Sequence, residues 1–245
     1  MRTLVVLPTY NEAANIDDVL RQVRATLPAA DVLVVDDGSP DGTADLADAL
    51  GAELGRVEVL RRPGKRGLGD AYRTGFQWGL AAGYEVLVEM DADLSHDPGM
   101  LSALVGAIDL GADLTIGSRY VPGGSTPDWR RRRRFLSTWG NIYAAMLLGL
   151  GINDATSGFR AYRATILREI DLPSVRADGY GFQIEMAYRV VKAGGRVIEV
   201  PIRFLDRERG ASKMSGGIVR EAFGLVTVWG VRDLFTGRRW RRGRG

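Results

Sequence analysis

The sequence predicts an α/β fold, a single domain built on a mostly parallel β-sheet with helices on both of its faces. Short apolar runs alternate with amphipathic helical patterns over residues 1–118, which is typical of sheets whose strands are buried on both faces. Polar clusters follow the apolar runs, at the strand ends where ligands bind in such sheets. The 245 residues are 45% hydrophobic and 26% charged, so the chain can bury a core and is neither disordered nor fibrous.

Each element is placed by its own pattern. Apolar runs of strand length occur at 3–7, 32–35, 57–60, 86–90 and 114–116, and helical spacing occurs at 16–27, 44–50, 68–82 and 98–108. After residue 120 we expect helices at 135–150, 181–192 and 217–235 and strands at 159–162 and 197–200. We therefore expect one domain over residues 1–235, followed by a basic tail, 236–245, without periodicity.

The formal charge of +3 conceals an uneven distribution. Residues 1–118 contain 9 basic and 19 acidic side chains, whereas residues 119–245 contain 24 basic and 11 acidic ones. This division predicts an anionic partner for the second half of the chain. The chain has no cysteine and a single histidine, His96, so any metal is expected to be a hard cation held by oxygen atoms.

Neither a signal peptide nor a membrane-spanning segment is expected. The first apolar run is about six residues long and ends in Pro8, and the longest uncharged stretch, 135–153, is interrupted by polar residues and glycines. A spanning helix needs about 20 mostly apolar residues. We expect a cytoplasmic protein that is at most peripheral to a membrane.

The strand at 3–7 is followed by Pro8, Tyr10 and Glu12, without the glycine-rich turn of a dinucleotide-binding domain. These residues suit a pocket edge that stacks a base on a ring and fixes it with polar groups. The alternative is a plain strand-to-helix turn that is capped by Asn11. Both interpretations stay open on these residues alone.

Two adjacent carboxylates, Asp36 and Asp37, follow the second strand. One of them can cap a helix, which leaves the other to bind a ribose hydroxyl or a base N–H; an aspartyl-phosphate enzyme is the alternative interpretation. Further along the chain, two cations precede Gly67-Leu68-Gly69, which is a weak indication of an anion-binding helix N-terminus.

The strongest pattern is Asp91-Ala92-Asp93 after the fourth strand. Alternate strand residues point the same way, so we expect both carboxylates to project together beyond the strand. Two such charges repel each other unless a cation lies between them, and Mg²⁺ or Mn²⁺ bound to a diphosphate meets this need. The alternative is a pair of helix-capping aspartates. We expect His96 to be solvated or to lie behind the metal ligands.

Cations follow the later strands. Arg119 comes after the fifth strand, and the loop 206–213 contains Arg207, Arg209 and Lys213. Arginine forms bidentate hydrogen bonds with phosphate, so these residues are candidates for phosphate binding. A solvated charged loop is the alternative for 206–213.

Six segments together resemble one family, the inverting family 2 glycosyltransferases, and in particular the polyprenol (dolichol) phosphate mannosyltransferases. The segments are Pro8-Thr9-Tyr10-Asn11-Glu12, Val35-Asp36-Asp37-Gly38-Ser39, Gly67-Leu68-Gly69, Asp91-Ala92-Asp93, Gly117-Ser118-Arg119-Tyr120, and Asp206-Arg207 with Ser212-Lys213. The resemblance implies the GT-A fold, which has a Rossmann-like sheet. It also implies a nucleotide-sugar and metal half, 1–118, and an acceptor half, 119–235, with interfacial helices.

The resemblance also implies roles for individual residues. The nucleoside would be held by Pro8, Tyr10, Glu12, Val35 and Asp37. Asp91 and Ala92 would line the donor site, and Asp93 would bind the metal together with Asp91. Arg119, Arg207 and Lys213 would hold the donor and acceptor phosphates, and with Asp93 they are the expected catalytic residues. Family members often have glutamine where this chain has Ser95, so we expect metal ligation by Ser95 to be shorter, water-mediated or lost.

The implied reaction is transfer of mannose from GDP-mannose to a polyprenyl monophosphate, with inversion and with Mg²⁺ or Mn²⁺ as cofactor. The alternatives are a polyprenyl-phosphate glucosyltransferase that uses UDP-glucose and a non-catalytic basic module that binds membranes or nucleic acid. The arginines of 130–134 and 238–242 suit an anionic membrane surface on the cytoplasmic side. An integral membrane partner stays open, and no specific nucleic acid is expected.

Overall fold

The computed structural model describes residues 1–206 and 216–236, with side chains for 1–206 and 223–235. Its strands are β1 (Thr3–Thr9), β2 (Asp31–Asp36), β3 (Val57–Arg61), β4 (Val86–Glu89), β5 (Leu114–Ser118), β6 (Arg160–Arg163) and β7 (Val197–Pro201). They form one sheet in the order β3-β2-β1-β4-β6-β5-β7. Since both halves of the chain contribute strands to this sheet, the described residues form one domain.

Helices cover both faces of this sheet. They are α1 (Ile16–Thr26), α2 (Thr43–Leu54), α3 (Leu68–Ala81), α4 (Leu101–Asp109), α5 (Arg131–Leu148), α6 (Ala164–Glu169), α7 (Gly179–Lys192) and α8 (Gly216–Thr236). Arginine is a good helix former, which explains why α5 begins at Arg131, inside the arginine run, rather than at residue 135. The sequence did not predict α6, because its 6 residues are too few to reveal a helical period.

Strand β6 is the exception in direction. The pairs β1–β2, β2–β3, β1–β4 and β5–β7 are parallel, whereas β6 is antiparallel to both β4 and β5. All the other strands therefore end at one edge of the sheet, the carboxyl edge, and β6 begins there. The expected mostly parallel sheet is confirmed, and the polar segments that follow the strands meet at this edge.

The core lies on both faces of the sheet, because successive strand residues point to opposite faces. In β1, Leu4 and Val6 pack into a core cluster with Phe76 of α3. Val5 and Leu7 pack into a second cluster that includes Leu20 of α1. This division confirms the burial on both faces that the alternating apolar runs predict.

Helix α8 is held against α7 by polar and aromatic contacts. The hydroxyl of Tyr188 donates to Asp233 Oδ1 at 2.9 Å, and Lys192 Nζ lies 2.6 Å from Asp233 Oδ2. The rings of Tyr188 and Trp229 stack at 5.8 Å. Among the described residues, none of the helices combines the length and apolarity that crossing a membrane requires.

Candidate active site

The carboxylates of Asp36 and Asp37 have different partners at the carboxyl edge. Asp36 accepts hydrogen bonds from the hydroxyl of Thr9 at 2.9 Å and from the backbone and hydroxyl of Ser39 at 2.8 and 2.6 Å. It thus joins the ends of β1 and β2. Asp37 pairs with Arg62, whose Nη1 donates to Oδ1 at 2.7 Å. Burial raises the pKa of the Asp37 carboxyl, although the Arg62 charge opposes that shift.

The residues expected at the nucleoside come together at the ends of these two strands. Pro8 pairs with Val35 across the β1–β2 ladder, and Asp37 follows directly. Lys65 Nζ lies 4.7 Å from the centre of the Tyr10 ring. Glu12 accepts a hydrogen bond from Asn15 Nδ2 at 2.9 Å. The structure therefore places this set at one strand end, and its contact with a nucleoside stays a prediction.

The structure contradicts two of the local interpretations. Asn11 does not cap α1, which begins after Asn15; it has a φ of 58°, and its backbone N–H donates to Ser39. The N-terminus of α3 does not present its Gly69 amide to an external anion, because this amide donates to Asp178 Oδ1 at 2.6 Å. The sequence could not reveal this contact, since Asp178 lies far along the chain at the start of α7.

The loop after β4, residues 90–96, carries the two central carboxylates. Asp91 Oδ1 accepts from the hydroxyl of buried Tyr72 at 3.1 Å, and Asp93 Oδ1 accepts from the backbone N–H of Ser95 at 3.0 Å. Because β4 ends at Glu89, Asp91 and Asp93 lie in a bend, and the expected strand alternation does not apply to them.

The alternative of two helix-capping aspartates is wrong for this pair, because the capping side chain is that of Asp97. Its Oδ1 accepts from Gly99 N at 2.8 Å at the start of a short 3-10 helix. His96 is buried rather than solvated, and its Nδ1 accepts from the backbone N–H of Asp91 at 3.2 Å.

This loop fits a hard divalent cation that is shared with a ligand. Asp93 is buried, with 3% of its surface exposed, and Asp91 is partly exposed. Within the described residues, no group of three or more histidine or acidic side chains could surround a metal. Mg²⁺ and Mn²⁺ accept such sparse carboxylate sets when phosphate and water supply the remaining oxygens. The chemistry of the donor atoms therefore fits a cation that arrives with a diphosphate, and ligation by Asp91, Asp93 or Ser95 stays a prediction.

A buried pair of side chains, Arg160 and Glu89, lies at the end of β4, directly before this loop. Arg160 Nε is 3.5 Å from Glu89 Oε1, and neither side chain is exposed to solvent. Burial raises the pKa of Glu89 to about 8, although Arg160 opposes that shift. Arg160 also donates to the carbonyls of Ala155 and Ser157 at 2.7 Å and of Gln183 at 2.8 Å. It thereby ties β4 to the loop before β6 and to α7.

Arg119 follows β5 and forms a buried fork with Asp154. Its Nε donates to Oδ2 at 2.7 Å and its Nη2 to Oδ1 at 2.6 Å, and Nη2 also donates to the hydroxyl of Thr156 at 2.7 Å. Burial works to raise the pKa of Asp154, but Arg119 brings it below its ordinary value. Asp154 thus matches the charge of Arg119, and phosphate binding by Arg119 stays a prediction.

A second arginine lies close to Arg119. Arg133, on the first turn of α5, donates to Asp206 Oδ1 at 2.7 Å, and its guanidinium carbon lies 4.1 Å from the centre of the Trp129 ring. Burial raises the pKa of Tyr180, while Arg119 and Arg133 oppose that shift. Both guanidiniums therefore act electrostatically on the same tyrosine hydroxyl.

Aromatic rings connect the two halves of the site. The His96 ring packs edge-on against Phe204 at 5.5 Å, and Phe204 packs in the same way against Trp129 at 5.6 Å. We call His96, Phe204 and Trp129 the aromatic bridge. His96 accepts a hydrogen bond from the Asp91 backbone, and Trp129 contacts Arg119 and Arg133, which we call the basic cluster. The bridge therefore fixes the loop 90–96 relative to the basic cluster.

Two predicted catalytic residues, Arg207 and Lys213, lie outside the described residues, as do residues 237–245 of the predicted tail; residue 236 is the last residue of α8. Sequence reasoning did not assign Arg62, Asp154, Trp129, Arg133 or Tyr180 to the site. Arg133 could have been singled out from its neighbours only by knowing where α5 begins. Asp154 has no signal in the sequence, because its role comes from Arg119, which lies 35 positions earlier in the loop after β5.

The sheet with its carboxyl-edge loops is the GT-A fold of nucleotide-sugar glycosyltransferases. The chain belongs to glycosyl transferase family 2, whose family model matches residues 4–171. This membership confirms the family that the motifs indicate.

Close relatives match nearly the whole chain. The polyprenol monophosphomannose synthase of Mycolicibacterium smegmatis is 54% identical over 232 residues, 94% of this chain and 88% of that protein. The undecaprenyl-phosphate mannosyltransferase of Micrococcus luteus is 52% identical over 243 residues, 99% of this chain and 100% of that protein. Glucosyl-3-phosphoglycerate synthase from Mycobacterium tuberculosis, solved with Mn²⁺ and UDP-glucose, matches with a TM-score of 0.69 at 21% identity, over 93% of this chain and 78% of that one. This last likeness supports the fold.

Proposed function

We propose that the protein transfers mannose from GDP-mannose to a polyprenyl monophosphate, with inversion at the anomeric carbon. One observation carries the proposal: the carboxylates of Asp91 and Asp93 and the guanidiniums of Arg119 and Arg133 lie at the same sheet edge, joined by the aromatic bridge. A transferase of this kind must bring two phosphorylated substrates together. The relatives that match this chain over nearly its whole length bear names of such mannosyltransferases.

The donor would bind at the ends of β1 and β2. Tyr10 offers a ring for the base, and Glu12 and Asp37 offer carboxylates for its N–H groups or for ribose hydroxyls. Arg62 fixes Asp37 in position through their 2.7 Å contact. Asp91 and Asp93 would hold Mg²⁺ or Mn²⁺, which when bound neutralises charge on the leaving diphosphate.

The acceptor phosphate supplies its own nucleophile. A phosphate monoester has a second pKa of about 6 and is largely dianionic at neutral pH, so no side chain has to remove a proton. A phosphate oxygen attacks the anomeric carbon, the bond to the diphosphate breaks, and GDP leaves with the electron pair. An α-linked donor then gives a β-linked product. Arg119, Arg133, Arg207 and Lys213 would lower the repulsion between the two substrates.

The helices next to the basic cluster suit a lipid substrate. On α5, exposed apolar side chains recur at helical spacing, and α8 adds a second set; they are Phe135, Leu136, Trp139, Ile142, Met146, Val228, Val231, Leu234 and Phe235. We call these the α5–α8 apolar residues. With the exposed arginines at the start of α5, they form the combination that binds anionic membrane surfaces. Peripheral binding on the cytoplasmic face is therefore part of the proposal.

The experiment that tests this function is a donor panel. Purified protein is incubated with polyprenyl phosphate in detergent and with radiolabelled GDP-mannose or UDP-glucose, with and without Mg²⁺ or Mn²⁺. We expect lipid-soluble label from GDP-mannose only, and only with a metal. Label from UDP-glucose would identify a glucosyltransferase instead, and no label from either donor would support the non-catalytic alternative.

A further inference from the structure

The Trp129 ring contacts two guanidiniums, those of Arg119 and Arg133. Its ring centre is 5.3 Å from the guanidinium carbon of Arg119 and 4.1 Å from that of Arg133. Only 8% of the residue is exposed. Cation–π attraction of this kind orients a guanidinium over a ring, so the Trp129 ring orients Arg133 and lies against Arg119, which Asp154 fixes in place.

The indole N–H of Trp129 lacks an acceptor. Within the described residues, its Nε1 is buried without a hydrogen-bond partner, and so is Nε of Arg133. Leaving a buried donor without an acceptor costs free energy, and unpaired groups of this kind are often completed by a ligand. These two N–H donors, one on the Trp129 indole and one in the Arg133 guanidinium, match the oxygens of an anion such as a phosphate.

Of the two arginines that contact Trp129, Arg133 has the weaker ion pair. Arg119 is bound by Asp154, whose side chain is fully buried. The partner of Arg133 is Asp206, whose side chain is 43% exposed. Exposed ion pairs contribute little stability, so an incoming phosphate can replace Asp206 at Arg133 while the fork of Arg119 stays intact.

The position of Trp129 in the fold favours the acceptor over the donor. It lies between β5 and α5, and β4 and β6 separate β5 from the strands that end at the expected nucleoside site. The helix that follows it carries the exposed apolar residues of α5. A phosphate bound at Trp129 would therefore have its lipid chain near an apolar surface.

We propose that Trp129 is a binding residue for the acceptor: its indole N–H donates a hydrogen bond to the phosphate of the lipid, and its ring orients Arg133, beside Arg119, toward that phosphate. The inference rests on the proposed function for the identity of the acceptor. The phosphate contact itself can be measured without any sugar transfer.

Calorimetric binding tests the proposal on the full chain. The ligands are geranyl phosphate, geraniol, inorganic phosphate, and GDP with Mn²⁺. Trp129→Phe keeps a ring but removes the N–H, and Trp129→Leu removes both; Trp78→Phe, on α3 against Tyr84, is the matched control. We expect Trp129→Phe to weaken geranyl phosphate binding roughly tenfold or more, as for one hydrogen bond to a charged group. Trp129→Leu should weaken it further, whereas the control binds as the wild type does.

Other arms of the experiment can overturn the proposal. If Trp129→Phe binds geranyl phosphate as tightly as the wild type does, the proposed hydrogen bond from the indole N–H to the phosphate is contradicted. An equal weakening of GDP binding would place the contact at the donor instead. Wild-type binding of inorganic phosphate as tight as that of geranyl phosphate would exclude the lipid acceptor as the ligand. If the variants behave as expected but no sugar is transferred, the phosphate site stands and the proposed function fails.

A measurement on the wild-type fold complements the variants. The chain has 5 tryptophans, so ¹⁵N-tryptophan labelling gives a small set of indole resonances, and the one missing in Trp129→Phe belongs to Trp129. We expect that resonance to move when geranyl phosphate is added and to stay in place with geraniol. If Trp129→Phe fails to fold, single substitutions of the other four tryptophans assign the Trp129 resonance by elimination. A Trp129 resonance that does not move when geranyl phosphate is added would contradict the proposal.

Discussion

Arg119 and Asp154 form a two-bonded fork in which both side chains are almost completely buried, with Nε–Oδ2 and Nη2–Oδ1 distances of 2.7 and 2.6 Å. The backbone N–H of Arg119 also donates to Asp154 Oδ2, at 2.9 Å. The loop before β6 thereby holds the arginine that follows β5. An arginine fixed in this way can present its charge to a ligand without reorganisation, which is what an electrostatically assisted reaction requires.

Removing the Asp154 charge should destabilise the protein strongly. In Asp154→Asn the guanidinium of Arg119 stays buried without its counter-charge, which typically costs about 3–5 kcal/mol. The control, Asp206→Asn, breaks the partly exposed pair with Arg133 and should cost less than about 1 kcal/mol. Urea unfolding of both variants measures the difference. Equal losses of stability would show that the buried pair of Arg119 and Asp154 contributes no more to stability than the partly exposed pair of Arg133 and Asp206.

The pair of Arg119 and Asp154 should make the free energy of unfolding depend on pH in the acidic range. The pKa of Asp154 is lowered in the folded protein, so its ionised form stabilises the fold above the unfolded value of about 3.9. That contribution is lost as the pH falls through the folded pKa. The stability advantage of the wild type over Asp154→Asn should therefore shrink below about pH 4. An advantage that stays constant between neutral and strongly acidic pH would contradict this assignment.

Two nearby glycines should respond differently to alanine. Gly67 has a φ of 98°, and a Cβ there would lie 2.0 Å from Asp178 Oδ2. Gly67→Ala should therefore lower the free energy of unfolding by about 1–3 kcal/mol and disturb the contact between α3 and α7. Gly64 has no atom within 4 Å of such a Cβ, so Gly64→Ala should change stability by less than about 0.5 kcal/mol. Thermal unfolding of the two variants gives the comparison, and similar melting temperatures would refute it.

Asp93 should be required for metal-dependent binding, whereas Asp97 in the same segment should not. Asp93→Asn removes a carboxylate from the candidate metal loop, and we expect roughly a hundredfold or greater loss of transfer rate. Asp97 caps a 3-10 helix instead, so Asp97→Asn should keep most of the rate. Calorimetry of GDP binding with and without Mn²⁺ provides a second readout. A strengthening of GDP binding by Mn²⁺ in Asp93→Asn as large as in the wild type would overturn the metal assignment.

The α5–α8 apolar residues should govern membrane binding. Met146 on α5 is 79% exposed, and Leu110, at the end of α4, is 78% exposed. Met146→Ser should reduce sedimentation with anionic vesicles several-fold, because an exposed apolar side chain no longer enters the interface. Leu110→Ser removes a similar exposed side chain elsewhere and should leave sedimentation unchanged. Equal effects of the two substitutions would indicate nonspecific adsorption.

Much of the fold could be predicted from local patterns. Most of the strands are short apolar runs bounded by polar residues, and all of them were expected near their observed positions, beginning with β1 (Thr3–Thr9) and ending with β7 (Val197–Pro201). The direction of β6 was not predictable in the same way. Its residue pattern is the same whether it pairs parallel or antiparallel, and the antiparallel direction is seen only in its pairing with β4 and β5.

Some residues of the candidate site could be predicted from the sequence, and others could not. Asp91 and Asp93 could be found because two carboxylates separated by one residue after a strand are an uncommon pattern with a chemical meaning. The side chains that hold Asp91 could not be found, because Tyr72 and His96 act through side-chain geometry that spacing does not encode. Asp178 likewise reaches Gly69 from 109 positions away. Contacts of this kind depend on the folded sheet and not on any local window.

The chemical identity of the lipid product tests the central claim most directly. The purified protein is incubated with GDP-mannose, Mn²⁺ and either polyprenyl phosphate or the matching polyprenol, and the lipid fraction is analysed by mass spectrometry and NMR. We predict a single mannosyl phosphoryl lipid with a β-anomeric linkage, formed only from the phosphorylated acceptor. Unchanged polyprenyl phosphate with intact GDP-mannose, or an α-linked product, would contradict the account.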